Sequence, residues 1–224
     1  MRLSTKALCF LCTVGAVLLA SFCQIDASQP LGTSRWERAQ QIPILGVTMG
    51  TEREIGTIAY LLVTVAERSD VSGLSVVFPR GKGRLSPMAE TSIQQGIYRT
   101  ARVAGLSTDS WSVMVSVLEP DVTIHGSSLS AMVSLTVLAL ARGHSILSDR
   151  VITGTIGPDG TIHTVSGVPL KIEAAHHSHY LRVFVPEEQS LEDGDGPTPF
   201  LMQVSPVHSV QQAYLGLTGF PLSQ

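Results

Sequence analysis

The run IHGSSLSAMVSLTVLALARG, Ile124 to Gly143, constrains the fold most. A polar turn carrying Gly126, Ser127, Ser128 and Ser130 opens onto a stretch that is apolar nearly all round. A surface helix shows one apolar stripe, whereas a helix apolar on every side has to be buried. The segment therefore predicts a buried helix from about Leu129 to Ala141, with Ser127 and Ser128 at its N-terminus.

The folded part must bury that helix without covalent help. Cys9, Cys12 and Cys23 all lie in or beside the N-terminal segment, so the mature domain carries no disulfide framework, thiolate metal site or cysteine nucleophile. With 224 residues, 44% of them hydrophobic and 15% charged, the chain suits one domain with a substantial core. The formal net charge of −3 and a pI near 6.1 imply no basic face, which argues against nucleic acid as a partner.

Arg2 and Lys6 precede an uncharged run from Ala7 to Phe22 that Thr13, Gly15 and Ser21 dilute. Spanning a bilayer takes about 20 apolar residues, so residues 1–27 read as a secretory signal peptide, with an uncleaved membrane anchor as the alternative. Export to a periplasmic or extracellular location follows. Cleavage is expected at Ala27 or between Ala20 and Cys23. Lipid attachment at Cys23 is disfavoured by the bulky Phe22 before it. Residues 28–41, polar and containing Pro30 and Gly32, read as a linker or arm, and residues 42–224 as the domain.

Strands are predicted at Ile42–Met49, Thr57–Val65, Leu74–Phe78 and Trp111–Leu118. The loop PRGKGRLSP contains Gly-x-Gly but no P-loop lysine–serine ending, which argues against phosphate binding. Ser86-Pro87 starts a helix to about Val103, with Ile93, Ile97 and Ala101 on one face and Gly105 at its stop. VITGTIGPDGTIHTV predicts a hairpin of Val151–Gly157 and Thr161–Val165. A helix starts near Pro169, a strand covers Leu181–Pro186, and the acidic loop EEQSLEDGDGPTP follows. FLMQVSPV then supplies a strand and Val207–Leu215 a last helix. Strands and helices mix without strict alternation, which gives an α+β domain with a mixed sheet and packed helices.

The serines admit two readings. Hydroxyls at a helix start can cap it. The same place, with outward N–H groups and the positive end of the helix dipole, can hold an oxyanion beside an attacking hydroxyl. An attacking serine needs a base. Seven histidines are present without an evident Ser-His-Asp order. Lys171, in SGVPLKIEAA, stands at the start of an apolar helix between Leu170 and Ile172, where lost solvation and the helix end favour the neutral amine. The bland reading of Lys171 is a snorkelling surface lysine.

Taken together, GSSLSA and VITGTIGPDGTIHTVSGVPLKIEAA resemble the proteolytic domain of the Lon-type peptidases, serine proteases with a Ser-Lys dyad. That family's pattern is an Asp-Gly-Pro-Ser-Ala-Gly turn, a Thr-Gly-Glu or Thr-Gly-Thr strand, a Gly-x-Val hairpin and a Gly-Gly-x-x-x-Lys turn into an alanine-rich helix. The resemblance places the nucleophile on Ser128 and the base on Lys171, at the family's spacing, and the lysine-steadying threonine on Thr153. It implies Gly126, Ser127, Leu129 and Gly167 as supporting positions. His125 stands where the family has Asp, Ser127 where it has Pro, Leu129 where it has Ala, Ser130 where it has Gly, and Val168 where it has the second Gly. Ser127 is the alternative nucleophile. His125 either borders the site or is an ordinary loop histidine.

The resemblance implies a serine-type endopeptidase acting on a polypeptide substrate, with no metal or organic cofactor. No Walker-type sequence appears, so cleavage of peptides or unfolded chains without ATP is expected. The resemblance also leaves room for a homo-oligomeric ring. Two other readings stand beside it. One is an inactive relative serving as a binding or scaffold domain. The other is a metal hydrolase using His176, His177 and His179. Consecutive histidines do not share a helical face and no His-Glu-x-x-His is present, so these residues read as a polar helix end.

Overall fold

A computed structural model of the chain describes residues 35–81, 83–188 and 201–222. The predicted signal peptide, all three cysteines and most of the acidic loop lie outside the described residues.

The chain opens with a long hairpin, β1 (Trp36–Met49) and β2 (Glu54–Glu67), paired in register from Trp36↔Glu67 to Met49↔Glu54. The first strand thus begins at Trp36 rather than Ile42, and part of the expected linker is sheet. Its polar residues conceal this pairing. Arg38 and Gln40 spend their side chains on the Leu140 carbonyl and on reciprocal bonds with the backbone of Ile146.

Next come β3 (Ser75–Val77), the short β4 (Arg84–Leu85) and helix α1 (Pro87–Val103). The Ser86 hydroxyl accepts the Ala89 N–H at 3.3 Å, Pro87 fills the first position, and Ile93, Ile97 and Ala101 are buried, all as the residue pattern predicts. Strand β5 (Trp111–Val117) pairs antiparallel with Leu61–Glu67 of β2 and parallel with β3, giving the order β1-β2-β5-β3. Alternation drives Leu61, Val63 and Val65 of β2 and Val113 and Val115 of β5 into the core.

After β6 (Thr123–Ile124), parallel to β4, comes helix α2 (Ser130–Ala141). Every residue from Ser130 to Leu140 is buried. Helix α1, the β1–β2 hairpin and the later helix 210–218 surround it. Each large aliphatic side chain so buried contributes about 1.5–3 kcal/mol, which suits a core that contains no cysteine among the described residues.

The expected hairpin after α2 begins differently. Its first strand splits into β7 (Arg150–Ile152) and β8 (Thr155–Ile156), and only β8 pairs with β9 (Ile162–His163). Between them Thr153 and Gly154 leave the ladder. Helix α3 (Val168–His177), β10 (Arg182–Pro186), β11 (Gln203–Val207) and α4 (Val210–Thr218) complete the chain. The last helix starts later than Val207 because Ser209 caps it through the Gln212 N–H. Strands β11-β10-β7 form a parallel sheet. A second core of Leu45, Val151, Ala175, Val183, Val185 and Met202 lies between that sheet, α3 and the hairpin. Tyr180 follows α3. Burial holds its hydroxyl pKa well above the ordinary phenol range, and a hydrogen bond with Tyr60 of β2 adds to that. The class is α+β, and among the described residues no helix is long and apolar enough to cross a membrane.

Candidate active site

Gly126 turns the chain into α2 with φ +87°, a conformation that L side chains rarely adopt. The first turn is then closed by backbone: the Ser130 N–H donates to the Ser127 carbonyl at 3.0 Å. The N-cap residue is Leu129, in helical conformation, and no side chain caps the helix. The hydroxyls of Ser127 and Ser128 therefore do not cap α2. The capping reading of this serine cluster is set aside by the geometry.

What fixes Ser128 is its backbone. The Gly154 N–H donates to the Ser128 carbonyl at 3.0 Å, and the Gly154 carbonyl accepts the Ala131 N–H at 3.2 Å. On the other flank, the Ser92 hydroxyl of α1 donates to the Ser127 carbonyl at 3.3 Å. Ser128 itself is half-buried. Leu129 is 2% exposed, so its side chain belongs to the main core and not to the surface of the turn. Ser130 is fully buried beside Gly96 of α1. These two departures from the Lon-type pattern are thus absorbed by the interior.

Gly154 can strap this turn because it has no side chain. Its φ is +148°, and a Cβ there would lie 2.7 Å from the Ile162 side chain. The preceding residue, Thr153, is 1% exposed, and its N–H donates to the Phe184 carbonyl of β10 at 3.1 Å. The Thr153 hydroxyl is buried without a hydrogen-bond partner, so the bond expected between it and Lys171 is not made in this arrangement.

Lys171 sits in the first turn of α3, after the N-cap residue Gly167. It is 4% exposed, which overturns the snorkelling reading. Its Nζ donates to the Ser166 carbonyl at 2.8 Å. The structure brings Ser128 and Thr153 together through Gly154, and Lys171 and Gly167 together at the start of α3. Among the described residues no hydrogen bond joins Ser128 to Lys171. His125 is exposed. At the far end of α3, His177 approaches Glu173 at 3.6 Å. Among the described residues no group of three or more His, Cys, Asp and Glu is placed to hold a metal ion.

Sequence reasoning missed Glu119, which precedes the serine turn. One carboxylate oxygen accepts the Tyr60 N–H at 2.7 Å and the other is buried without a partner. Nothing in the residue pattern marks it, because its role depends on where β5 leaves β2. An open groove of about 420 Å³ beside Ser127, lined by Met88, Thr91, Ser92 and Gln95 of α1, was equally invisible.

No family model matches the chain, and no curated protein matches its sequence. The chemistry rests on the residues themselves.

Proposed function

We propose that this chain is a serine-type endopeptidase that hydrolyses peptides or unfolded proteins through Ser128 and Lys171, without ATP, on a fold of the Lon proteolytic type. The observation that carries this reading is the state of Ser128. Its backbone is held by Gly154 at the N-terminus of a buried helix, while its hydroxyl serves neither as a cap nor in any other hydrogen bond among the described residues. A hydroxyl on a held backbone with nothing structural to do suits a nucleophile.

In the proposed reaction neutral Lys171 takes the proton of the Ser128 hydroxyl as the oxygen attacks a peptide carbonyl. Burial of an amine favours that neutral, proton-accepting form. The developing oxyanion is met by the N–H groups of Ser128 and Leu129, which take no part in the backbone hydrogen bonds of the turn. Lys171 then gives the proton to the leaving amine, the peptide C–N bond breaks, and water hydrolyses the acyl-enzyme. For this, Nζ must turn from the Ser166 carbonyl toward Ser128. The buried Thr153 hydroxyl, next to Gly154, is the group we assign to steady it there.

A second reading, a binding domain without turnover, draws on the resting position of Lys171 on Ser166. One experiment separates the two. The domain from Ser28 onward is incubated with unfolded β-casein in the absence of ATP, beside Ser128→Ala and Lys171→Ala, with the fold of each checked by circular dichroism. The peptidase reading expects cleavage by the parent and none by either folded variant. An inert parent, tested also on short peptides and at raised pH, favours the binding domain.

A further inference from the structure

Strand β2 has two edges with different fates. β1 covers one along its whole length, whereas β5 covers the other only from Leu61 to Glu67. At Tyr60 the second edge is closed by the chain leaving β5: the Tyr60 N–H donates to Glu119 at 2.7 Å, and its carbonyl accepts the Leu118 N–H at 3.1 Å. These bonds fix the phase of the strand. Tyr60 turns its backbone groups away from β1, in keeping with its partner there being Pro43, which has no N–H. By alternation Ile58, Gly56 and Glu54 turn theirs the same way. Among the described residues none of these three has a backbone partner on that side.

A groove of about 410 Å³ runs beside this open edge. Consecutive residues from Arg53 to Ile58 line it. Successive strand residues point to opposite faces, so a groove that touches all of them follows the edge, where the backbone is reached. The opposite wall is one face of α3: Leu170, Glu173, Ala174 and His177, at helical spacing. Gly56 is where α3 rests on the strand. A Cβ there would fall 1.9 Å from the Leu170 carbonyl oxygen, so only glycine lets α3 lie this close to the strand.

The geometry points to this groove as a site for an extended polypeptide segment, added as a new strand to the open edge of β2 and walled by α3. The backbone N–H and C=O groups of Ile58, Gly56 and Glu54 supply the hydrogen bonds, which do not depend on side-chain identity. Such indifference suits a protein that takes unfolded chains. Its occupant is the polypeptide substrate, which rests on the peptidase reading. The groove reaches Leu170, the residue before Lys171, so a strand lying in it runs up to the turn that carries the proposed base.

The test is a binding measurement that needs no turnover. A fluorescein-labelled peptide of unfolded β-casein is titrated with the full-length Ser128→Ala protein and followed by anisotropy. It is compared with two forms of the peptide N-methylated on alternate residues, one form for each phase. Two variants accompany it: Glu54→Pro, which removes an edge donor at the exposed start of β2, and Glu173→Trp, which fills the groove from an exposed helix position. Methylation in one phase, and each variant, should weaken binding about tenfold, with methylation in the other phase tolerated. Equal binding by all peptides and variants, or no binding at all, overturns the proposal. So does self-association of the protein that Glu54→Pro abolishes, if no peptide binds, because the edge then belongs to a second copy. Edge-dependent binding by a parent protein that never cleaves would leave the groove standing and remove the peptidase reading. Cleavage through Ser128 without edge-dependent binding would do the reverse.

Discussion

Gly154 holds Ser128. Its N–H donates to the Ser128 carbonyl at 3.0 Å while its own carbonyl receives the N–H of Ala131. The strand after α2 breaks here, and the break is what positions the serine. Gly154→Ala puts a side chain at φ +148° and into the Ile162 methyl group. Backbone strain and overpacking together should cost about 2–5 kcal/mol in urea unfolding. In the fraction that still folds, peptidase activity should fall more steeply than in other variants of equal stability. Unchanged activity would mean that the strap does not position Ser128.

On the peptidase proposal, Thr153 separates stability from catalysis. Its buried hydroxyl has no partner, so Thr153→Val removes an unsatisfied group without changing the volume greatly. Stability should stay level or rise by about 1 kcal/mol. If the proposed mechanism holds, the rate should drop about tenfold or more, because Lys171 would lose the group assigned to steady it when it leaves Ser166. Thr153→Ser should restore it. A folded Thr153→Val protein with the parent rate would remove Thr153 from the mechanism.

The seam between α1 and α2 carries a second testable feature. Ser134 is 1% exposed with an unpartnered hydroxyl, and Gly96 faces it so closely that a Cβ would lie 2.3 Å from that oxygen. Ser134→Ala should raise stability by about 1 kcal/mol. Gly96→Ala should then add roughly 0.5–1 kcal/mol in the Ser134→Ala background, where the helix gain is no longer opposed by the contact. In the parent background the gain should be smaller. A thermal-denaturation double-mutant cycle measures the coupling, and strict additivity would contradict the packing described.

The β8–β9 turn should respond to acid. The Asp159 carboxylate accepts the Thr161 hydroxyl at 2.7 Å and the Thr161 N–H at 3.1 Å, and these bonds hold its pKa below the ordinary 3.8, with the nearby His163 adding a smaller effect. A lowered folded-state pKa means that the contribution is present above 3.8 and is lost as the pH falls through the lowered value. Amide chemical shifts of Thr161 and His163 should move in that window and stay still in Asp159→Asn. Movement of the same size in Asp159→Asn would assign the transition elsewhere.

Elements governed by local rules were legible in the sequence. Helix α1 announces its cap at Ser86 and its core face at Ile93, Ile97 and Ala101. The apolar girth of 130–140 marks α2 as buried. Residues whose role depends on a distant partner were not legible. Glu37, Arg38, Gln40 and Gln41 read as a polar arm, yet they pair with Gln41↔Leu62 to Glu37↔Ala66 and tie the hairpin to the end of α2. The break at Thr153-Gly154 is invisible because its hydrogen bonds go to Ser128 and Phe184, remote in sequence. For the site, the resemblance to the Lon-type pattern singled out Ser128, Thr153 and Lys171, and local pattern also suggested that the serines cap α2. Only the backbone closure by the Ser127 carbonyl shows that their hydroxyls are not used that way.

The most direct test of the central claim is to ask where an acyl group lands. The protein is incubated with the p-nitrophenyl ester of a short peptide, quenched in acid, and mapped by mass spectrometry. If Ser128 is the nucleophile, an acyl adduct is expected on the peptide containing Ser128, lost in Ser128→Ala and strongly reduced in Lys171→Met. An adduct at another residue, or none in a protein that is folded and soluble, would contradict that role.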